Sequence, residues 1–409
     1  MKQLIYAIAA ASVMALGACS ETPEQARPEE PTLDYAHQIE LSTPAKVASR
    51  NASQLDVKIF QGWNNIVPPD SNAIIAPLNL TTYLGMFSNL IEDEDFNAAI
   101  CDFFGTTDKR TVNELVSEYM SQLSSLDSRT KVNFFNKIWY DQNYTLVPAV
   151  VEEVEKYYTA NFEPADFSNK SELVSEIREW VNRKTDGMIN DWGKNVMPND
   201  FLAAQVFTFD GLWAAQFDLA NTKEATFHTP YVSTTVRVDM MNGMIPGKYF
   251  RTDTYQVARL EFGGGVYVAD FILPNAGEDI VDVISEPDFG MWTDEAMQGQ
   301  EFKIAVPKFS LNETLLVDEV LADIDPRIDL WKKQISFFEE NKKISTSICQ
   351  QVALNVDESG AKVASVTYNG DIIAAPCVEL NFNRPFAMMI RLRDTGAVLA
   401  AARIVNPKN

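Results

Sequence analysis

The stretch from Asp357 to Cys377, DESGAKVASVTYNGDIIAAPC, constrains the fold more than any other part of this chain. Its 21 residues lie between two strand-like runs. Connections of this length inside a compact domain are uncommon, and they are usually either functional or disordered. Disordered segments are polar and charged. This one is rich in small and β-branched residues, which favour strands. It has the composition of a strand with no sheet assigned to it. Read by itself, a long mobile connection is the alternative. After it come Asn383-Arg-Pro-Phe386 and two strand-like runs, Ala387–Leu392 and Ala397–Val405, turning at Asp394-Thr-Gly396.

Composition removes several classes of function. The chain has 409 residues, 46% of them hydrophobic, enough for one large domain or two ordinary ones. Its formal net charge of −23 argues against a nucleic-acid partner, because phosphate binding needs clustered Lys and Arg. Only two histidines occur, His37 and His228, which disfavours a His-based catalytic dyad or a multi-His zinc site. No nucleophile elbow and no phosphate-binding glycine loop is present. Gly263-Gly-Gly265 reads instead as a hairpin turn. A carboxylate-only hydrolase stays open on composition, but no Asp or Glu pair stands out. No cofactor or metal is expected.

Lys2 followed by the 12-residue apolar stretch Ile5–Leu16 reads as a secretion signal, too short to span a membrane. Leu16-Gly-Ala-Cys19 resembles the lipobox of bacterial lipoproteins, with residues 1–18 removed and Cys19 lipidated. An ordinary signal peptide with an incidental cysteine is the alternative. Acyl chains on Cys19 would hold the protein on a membrane without a transmembrane helix. Residues 19–50, rich in Pro and Glu at their start, read as a solvated tether. The expected location is the outer membrane, facing the periplasm or the cell surface. Cys101 and Cys349 lie in apolar contexts and are expected to be buried thiols; Cys377 would be exposed.

The first half of the chain is mostly helical. Val147, Val150, Val151, Val154, Tyr157 and Tyr158 recur at helical spacing, as do Val174, Ile177 and Val181. Lys131–Tyr140 is strand-like. From Phe201 strands dominate: Val257–Phe262 and Val266–Leu273 form a hairpin, and Phe302–Val306 is another strand. Helices first and strands later give an α+β domain with mixed sheets, spanning residues 51–409.

Six short motifs occur in order. They are Ser71-Asn-Ala-Ile-Ile-Ala-Pro-Leu78, Ile177-Arg-Glu-Trp-Val-Asn-Arg-Lys-Thr-Asp-Gly-Met-Ile189, Phe209-Asp-Gly-Leu-Trp213, Val306-Pro-Lys-Phe309, Asp357-Glu-Ser-Gly360 and Asn383-Arg-Pro-Phe386. Together they resemble the serpin family from roughly Asn51 to Pro407. The resemblance implies three mixed β-sheets, eight or nine surrounding helices and an exposed reactive-centre loop at about 358–378.

It also implies a mechanism. The loop is cut by a serine protease, forms an ester with it, and inserts into the main sheet before the ester hydrolyses. The chain would be a suicide-substrate inhibitor and not an enzyme. Gly360 and Asn383 are 23 residues apart, which by the family's register puts the reactive bond at Ala374–Ala375. Ala374, with Ile372 and Ile373 as subsite contacts, fits a small, elastase-like S1 pocket. The hinge would comprise Glu358, Gly360, Ala361, Val363, Ser365 and Thr367. Ala361, Val363, Ser365 and Thr367 share one strand face and are small or β-branched. The valines Val363 and Val366 stiffen the hinge, which favours slower insertion. Trp213 and Glu358 match the family residues where the loop first enters. Gln205 and Gln350 fall where the family holds a sheet-opening polar cluster and could hydrogen-bond each other; the alternative is that either one is simply a satisfied buried polar residue. The alternative reading is a non-inhibitory serpin that acts as a binding protein or a protease substrate.

Overall fold

A computed structural model describes residues 35–192, 200–230, 234–329, 332–335, 337–340, 344–345, 348–360 and 378–408. Eight α-helices occur among them: α1 (Thr43–Ile66), α2 (Pro77–Phe87), α3 (Glu94–Phe103), α4 (Lys109–Gln122), α5 (Pro148–Tyr158), α6 (Lys170–Lys184), α7 (Ile280–Ile284) and α8 (Asp318–Ile324). The strands of the first half are β1 (Ala73–Ile75), β2 (Thr130–Asp141), β3 (Asn161–Ala165), β4 (Phe201–Gly211), β5 (Lys223–His228), β6 (Thr235–Arg251), β7 (Tyr255–Phe262) and β8 (Tyr267–Pro274). Those of the second half are β9 (Gln298–Pro307), β10 (Phe309–Leu316), β11 (Gln334–Ile335), β12 (Ile344–Ser345), β13 (Cys349–Val356), β14 (Val378–Asn381), β15 (Phe386–Leu392) and β16 (Val398–Ile404).

Three mixed sheets form the body, besides the short β11–β12 pair. The 17-residue β6 joins two of them. Its first part pairs with β5, its stretch from Met240 to Tyr249 pairs with β9, and β9 carries β14 in parallel. Its last residues pair with β7, which begins the order β7–β8–β15–β16–β1. β8, β15 and β16 are buried along their whole length, and each carries one buried charge among apolar residues: Asp270, Arg391 and Arg403. The third sheet is divided. β3–β2–β4 form one part and β10–β13 the other. Among the described residues no ladder joins β4 to β13.

Helix α2 sits behind that division. Every residue from Pro77 to Phe87 is buried, the polar Asn79, Thr81 and Thr82 included, so the helix belongs to the core. Pro77 fixes its start, where a missing N–H costs nothing. Helix α6 covers the opposite face through Leu173, Ile177, Trp180 and Val181, with Trp180 edge-on to Trp139 of β2. Leu173 lies on the apolar stripe, and Val174 is only half-buried.

The tether expected to run to residue 50 is shorter. Ala45, Ala48 and Ala52 are buried along α1, which starts at Thr43. Small residues at helical spacing pack a helix closely, but their low hydropathy hides the stripe. Upstream, His37 N–H donates to Leu126 O at 2.7 Å.

Arg403 on β16 closes the C-terminal end of α1. It is fully buried, and its guanidinium donates to Asn64 O (3.1 Å), Asn64 Oδ1 (2.7 Å), Pro68 O (2.6 Å) and Ser71 O (3.0 Å). Helix ends leave carbonyls unpaired and favour a cation there. Arg403→Met removes every donor at once, and should lower stability to urea by about 3–5 kcal/mol. A loss under about 1 kcal/mol would show that water replaces the guanidinium.

Candidate functional site

The two parts of the divided sheet meet at one end. β4 ends at Gly211 and β13 at Val356, and the residues that follow each strand are bonded together. Asp357 and Gly360 exchange both backbone hydrogen bonds (3.1 and 3.3 Å), so the chain reverses over Glu358–Ser359. Gly360 then bridges to Leu212. Trp213 pins the turn, its N–H donating to Ser359 O (3.0 Å) and its indole Nε1 to Asp357 O (3.0 Å). Phe217 N–H donates to Glu358 O at 3.1 Å. Trp213 is buried and stacks on Phe262 at 4.3 Å. Gly360 has φ +117°, and a Cβ there would meet Gly211 O and sit 2.5 Å from Trp213 N. Only glycine fits that conformation and that approach.

Glu358 is the charged group of the turn. One carboxylate oxygen accepts from Thr222 Oγ1 (2.7 Å) and the other pairs with Lys308 Nζ (2.9 Å). Burial pushes this carboxyl up, but Lys308 and Thr222 outweigh burial and hold it below its ordinary value. Lys308 belongs to the Val-Pro-Lys-Phe motif, whose sequence gave no hint of this pairing.

Six residues below the head, β4 and β13 are clamped by the first turn of α2. Gln350 Oε1 accepts from Ala76 N–H (3.0 Å), and its Nε2 donates to Ala76 O and Asn79 Oδ1 (both 3.0 Å). Asn79 Nδ2 donates to Gln205 Oε1 (2.8 Å), which also accepts from Thr82 Oγ1 (3.1 Å). The direct Gln205–Gln350 bond that the sequence allows is therefore replaced by a bridge through Asn79. The loop–helix corner at Ala76–Asn79 lies between the two glutamines, and no spacing rule reveals it. The buried Nε2 of Gln205 has no partner among the described residues.

On the α6 side a strap crosses toward β13. Gln351 Nε2 donates to Asp191 Oδ1 (2.8 Å), and Arg178 Nε on α6 holds Trp192 O (2.9 Å).

Glu358, Gly360, Trp213, Gln205 and Gln350 are thus brought to the edges and head of one gap. Ala361, Val363, Ser365, Thr367, Ile372, Ile373, Ala374, Ala375 and Cys19 lie outside the described residues. Cys101 is buried, but Cys349 is exposed, contrary to expectation. It opens β13 opposite the exposed Leu316, beyond the sheet's packed part. Among the described residues no group of three or more His, Cys, Asp or Glu could hold a metal ion, and no helix is long and apolar enough to cross a membrane.

Gly360→Ala should open the turn, because its Cβ cannot fit beside Leu212. The expected cost is about 1–3 kcal/mol. Amide exchange should speed up at Trp213 and Phe217, whose N–H groups bond to the turn. Unchanged protection at both would contradict this geometry.

Comparison with known proteins agrees with the motif order. The family model described as Serpin (serine protease inhibitor) matches residues 50–407. Alpha-1-antitrypsin-like protein GS55-MS of Ictidomys tridecemlineatus is 25% identical over 340 residues, covering 81% of this chain and 80% of the relative. Corticosteroid-binding globulin of Rattus norvegicus is 23% identical over 352 residues, covering 83% and 86%. Among solved structures, the thermophilic serpin tengpin in its native state superposes with TM-score 0.78 at 20% identity, covering 91% of this chain and 97% of tengpin. Thyroxine-binding globulin in complex with thyroxine gives TM-score 0.75 at 20% identity, covering 88% and 99%. The chain belongs to the serpin family, whose members include protease inhibitors and binding globulins.

Proposed function

We propose that this protein is a suicide-substrate inhibitor of serine proteases with a small S1 pocket. The observation that carries the reading is the pair of unladdered edges, β4 and β13, with the chain turned back at their head by Asp357–Gly360. Both strands run toward that head. A segment fed back from Gly360 would lie antiparallel to each, bonding to both edges. At roughly 1 kcal/mol net per hydrogen bond, a strand of about 15 residues gains on the order of 10–20 kcal/mol before ordering costs. That matches the stability of a whole domain, and is enough to drag and deform a bound protease. Gln205 Nε2, buried and without a partner among the described residues, is a further donor beside β4.

Protease specificity would come from Ala374 ahead of the Ala374–Ala375 bond, with Ile372 and Ile373 in the neighbouring subsites. No Arg or Lys lies near that bond, which disfavours trypsin-like targets. Lipidation at Cys19 would place the inhibitor on the outer membrane. Cys19→Ala should then shift the protein from the membrane fraction to the soluble one; unchanged partitioning would remove the anchor from the account.

Incubation with elastase tests inhibition. A complex that survives denaturing electrophoresis is expected, along with a released C-terminal peptide whose mass begins at Ala375. Cleavage without a complex would favour the binding-protein reading, which the similarity to corticosteroid-binding globulin supports. Ala361→Arg should abolish the complex and leave cleavage intact. A buried unpaired arginine costs several kcal/mol at the first inward position, 13 residues from Ala374. One-to-one trapping by that variant would exclude hinge insertion as the cause of inhibition.

A further inference from the structure

Asp56, in the middle of α1, is fully buried and ties three elements together. Oδ1 accepts from Thr81 Oγ1 on α2 at 2.7 Å, and Oδ2 accepts from Val398 N–H on β16 at 2.9 Å. Among the described residues no cation contacts it. The nearest influential charge, Arg391 on β15, is committed elsewhere: its Nη2 donates to Gly290 O (2.8 Å) and its Nε lies 3.4 Å from Asp270 Oδ2. Thr81 stands between Asn79 and Thr82, the two α2 residues that hold Gln205 and Gln350 under the divided sheet. Asp56 therefore lies one layer behind the clamp.

We propose that Asp56 is a proton-controlled latch on α2: protonated, it holds α1, α2 and β16 together and keeps β4 and β13 clamped; ionised, it loosens α2 and lets the two parts of the sheet separate. When protonated, the carboxyl O–H donates to Thr81 Oγ1 while the other oxygen still accepts from Val398. Both bonds persist and no charge is buried. When ionised, an uncompensated charge sits in the core, where hydration requires α1 and α2 to part.

The electrostatics agree. Burial pushes the Asp56 carboxyl up to about 7, although Thr81, Val398 and Arg391 pull it down. Of the titratable groups around it, Tyr119 on α4 is itself raised by burial, with Asp56 adding to the shift. Asp270 on β8, and Arg259 and Tyr255 on β7, act on Arg391. A carboxyl raised on folding stabilises fully below its unfolded value, near 3.8, and this stability is lost as pH rises through about 7. Asp56 alone then lowers the folded-to-unfolded ratio about 30-fold between pH 5.5 and 8.0. Asp318 at the start of α8 has the same sign, being pushed up by burial to about 6. Over the same interval it contributes only about fourfold.

Urea unfolding and hydrogen exchange of the full chain at pH 5.5 and 8.0 test the latch. Asp56→Asn keeps a donor for Thr81 and an acceptor for Val398 without the charge. Between the two pH values, wild type should lose about 30-fold more of its folded-to-unfolded ratio than this variant. With intrinsic exchange rates divided out, β4 and β13 amides should open about tenfold more readily at pH 8.0 in wild type, and equally at both pH values in Asp56→Asn. Thr81→Val keeps the carboxyl but cuts its tie to α2; its stability step should move to higher pH, and β13 opening should become independent of pH. The latch is overturned if Asp56→Asn keeps the wild-type stability step, or if opening of β4 and β13 in wild type ignores pH. The consequence for loop insertion rests on the inhibitory reading, but neither readout involves a protease, so each reading can fail without the other.

Discussion

Between β4 and β13 two strand edges approach without a shared ladder. Every N–H and C=O along such an edge is a hydrogen bond not made within the sheet, and exposed edges are what proteins usually cap, twist or cover. Here helices cover them, and among the described residues no strand pairs with either edge. Helix α2 lies on one face, where Tyr83 Oη donates to Ala203 O on β4 (2.9 Å). Helix α6 and the Asp191–Trp192 strap lie on the other. The remaining features of the site hold the two edges in this arrangement.

Three attachments do so, each with different physics. At the head, Trp213, Gly360 and the Glu358–Lys308 pair hold a backbone turn by shape and by charge-assisted hydrogen bonds. In the middle, Asn79 bridges neutral amides across the division. On the α6 face, one amide–carboxylate bond joins β13 to the strap. None is a large apolar contact. Each is worth about 1–3 kcal/mol, so in the proposed insertion each would yield to a strand that gains many bonds at once. An apolar seam would hold the sheet more firmly but could not be released stepwise.

The sequence made much of this legible. Alternation and helical spacing located β2, α5, the β7–β8 and β15–β16 hairpins, and Gly263 and Gly265 turn with positive φ as a hairpin glycine should. Gly360 and Trp213 were readable through their motifs. Other features depend on contacts distant in sequence. Asn79 was invisible because a single Asn in an apolar helix signals nothing until Gln205 and Gln350 arrive from 126 and 271 residues away. Lys308 and Thr222 reach Glu358 from two different strand ends. The alanine stripe that starts α1 at Thr43 was lost against the polar composition preceding it. Asp56 read as one of many carboxylates in an acidic chain, and its burial appears only in three dimensions.

On the proposed reading, the native fold stops short of a more stable, strand-inserted form. Melting the chain before and after a single nick at Ala374–Ala375, with both pieces still associated, tests this most directly. A gain of roughly 10 kcal/mol should raise the midpoint of a body this size by at least about 10 °C. An unchanged transition in the nicked protein would mean that no strand enters between β4 and β13, and would contradict the account.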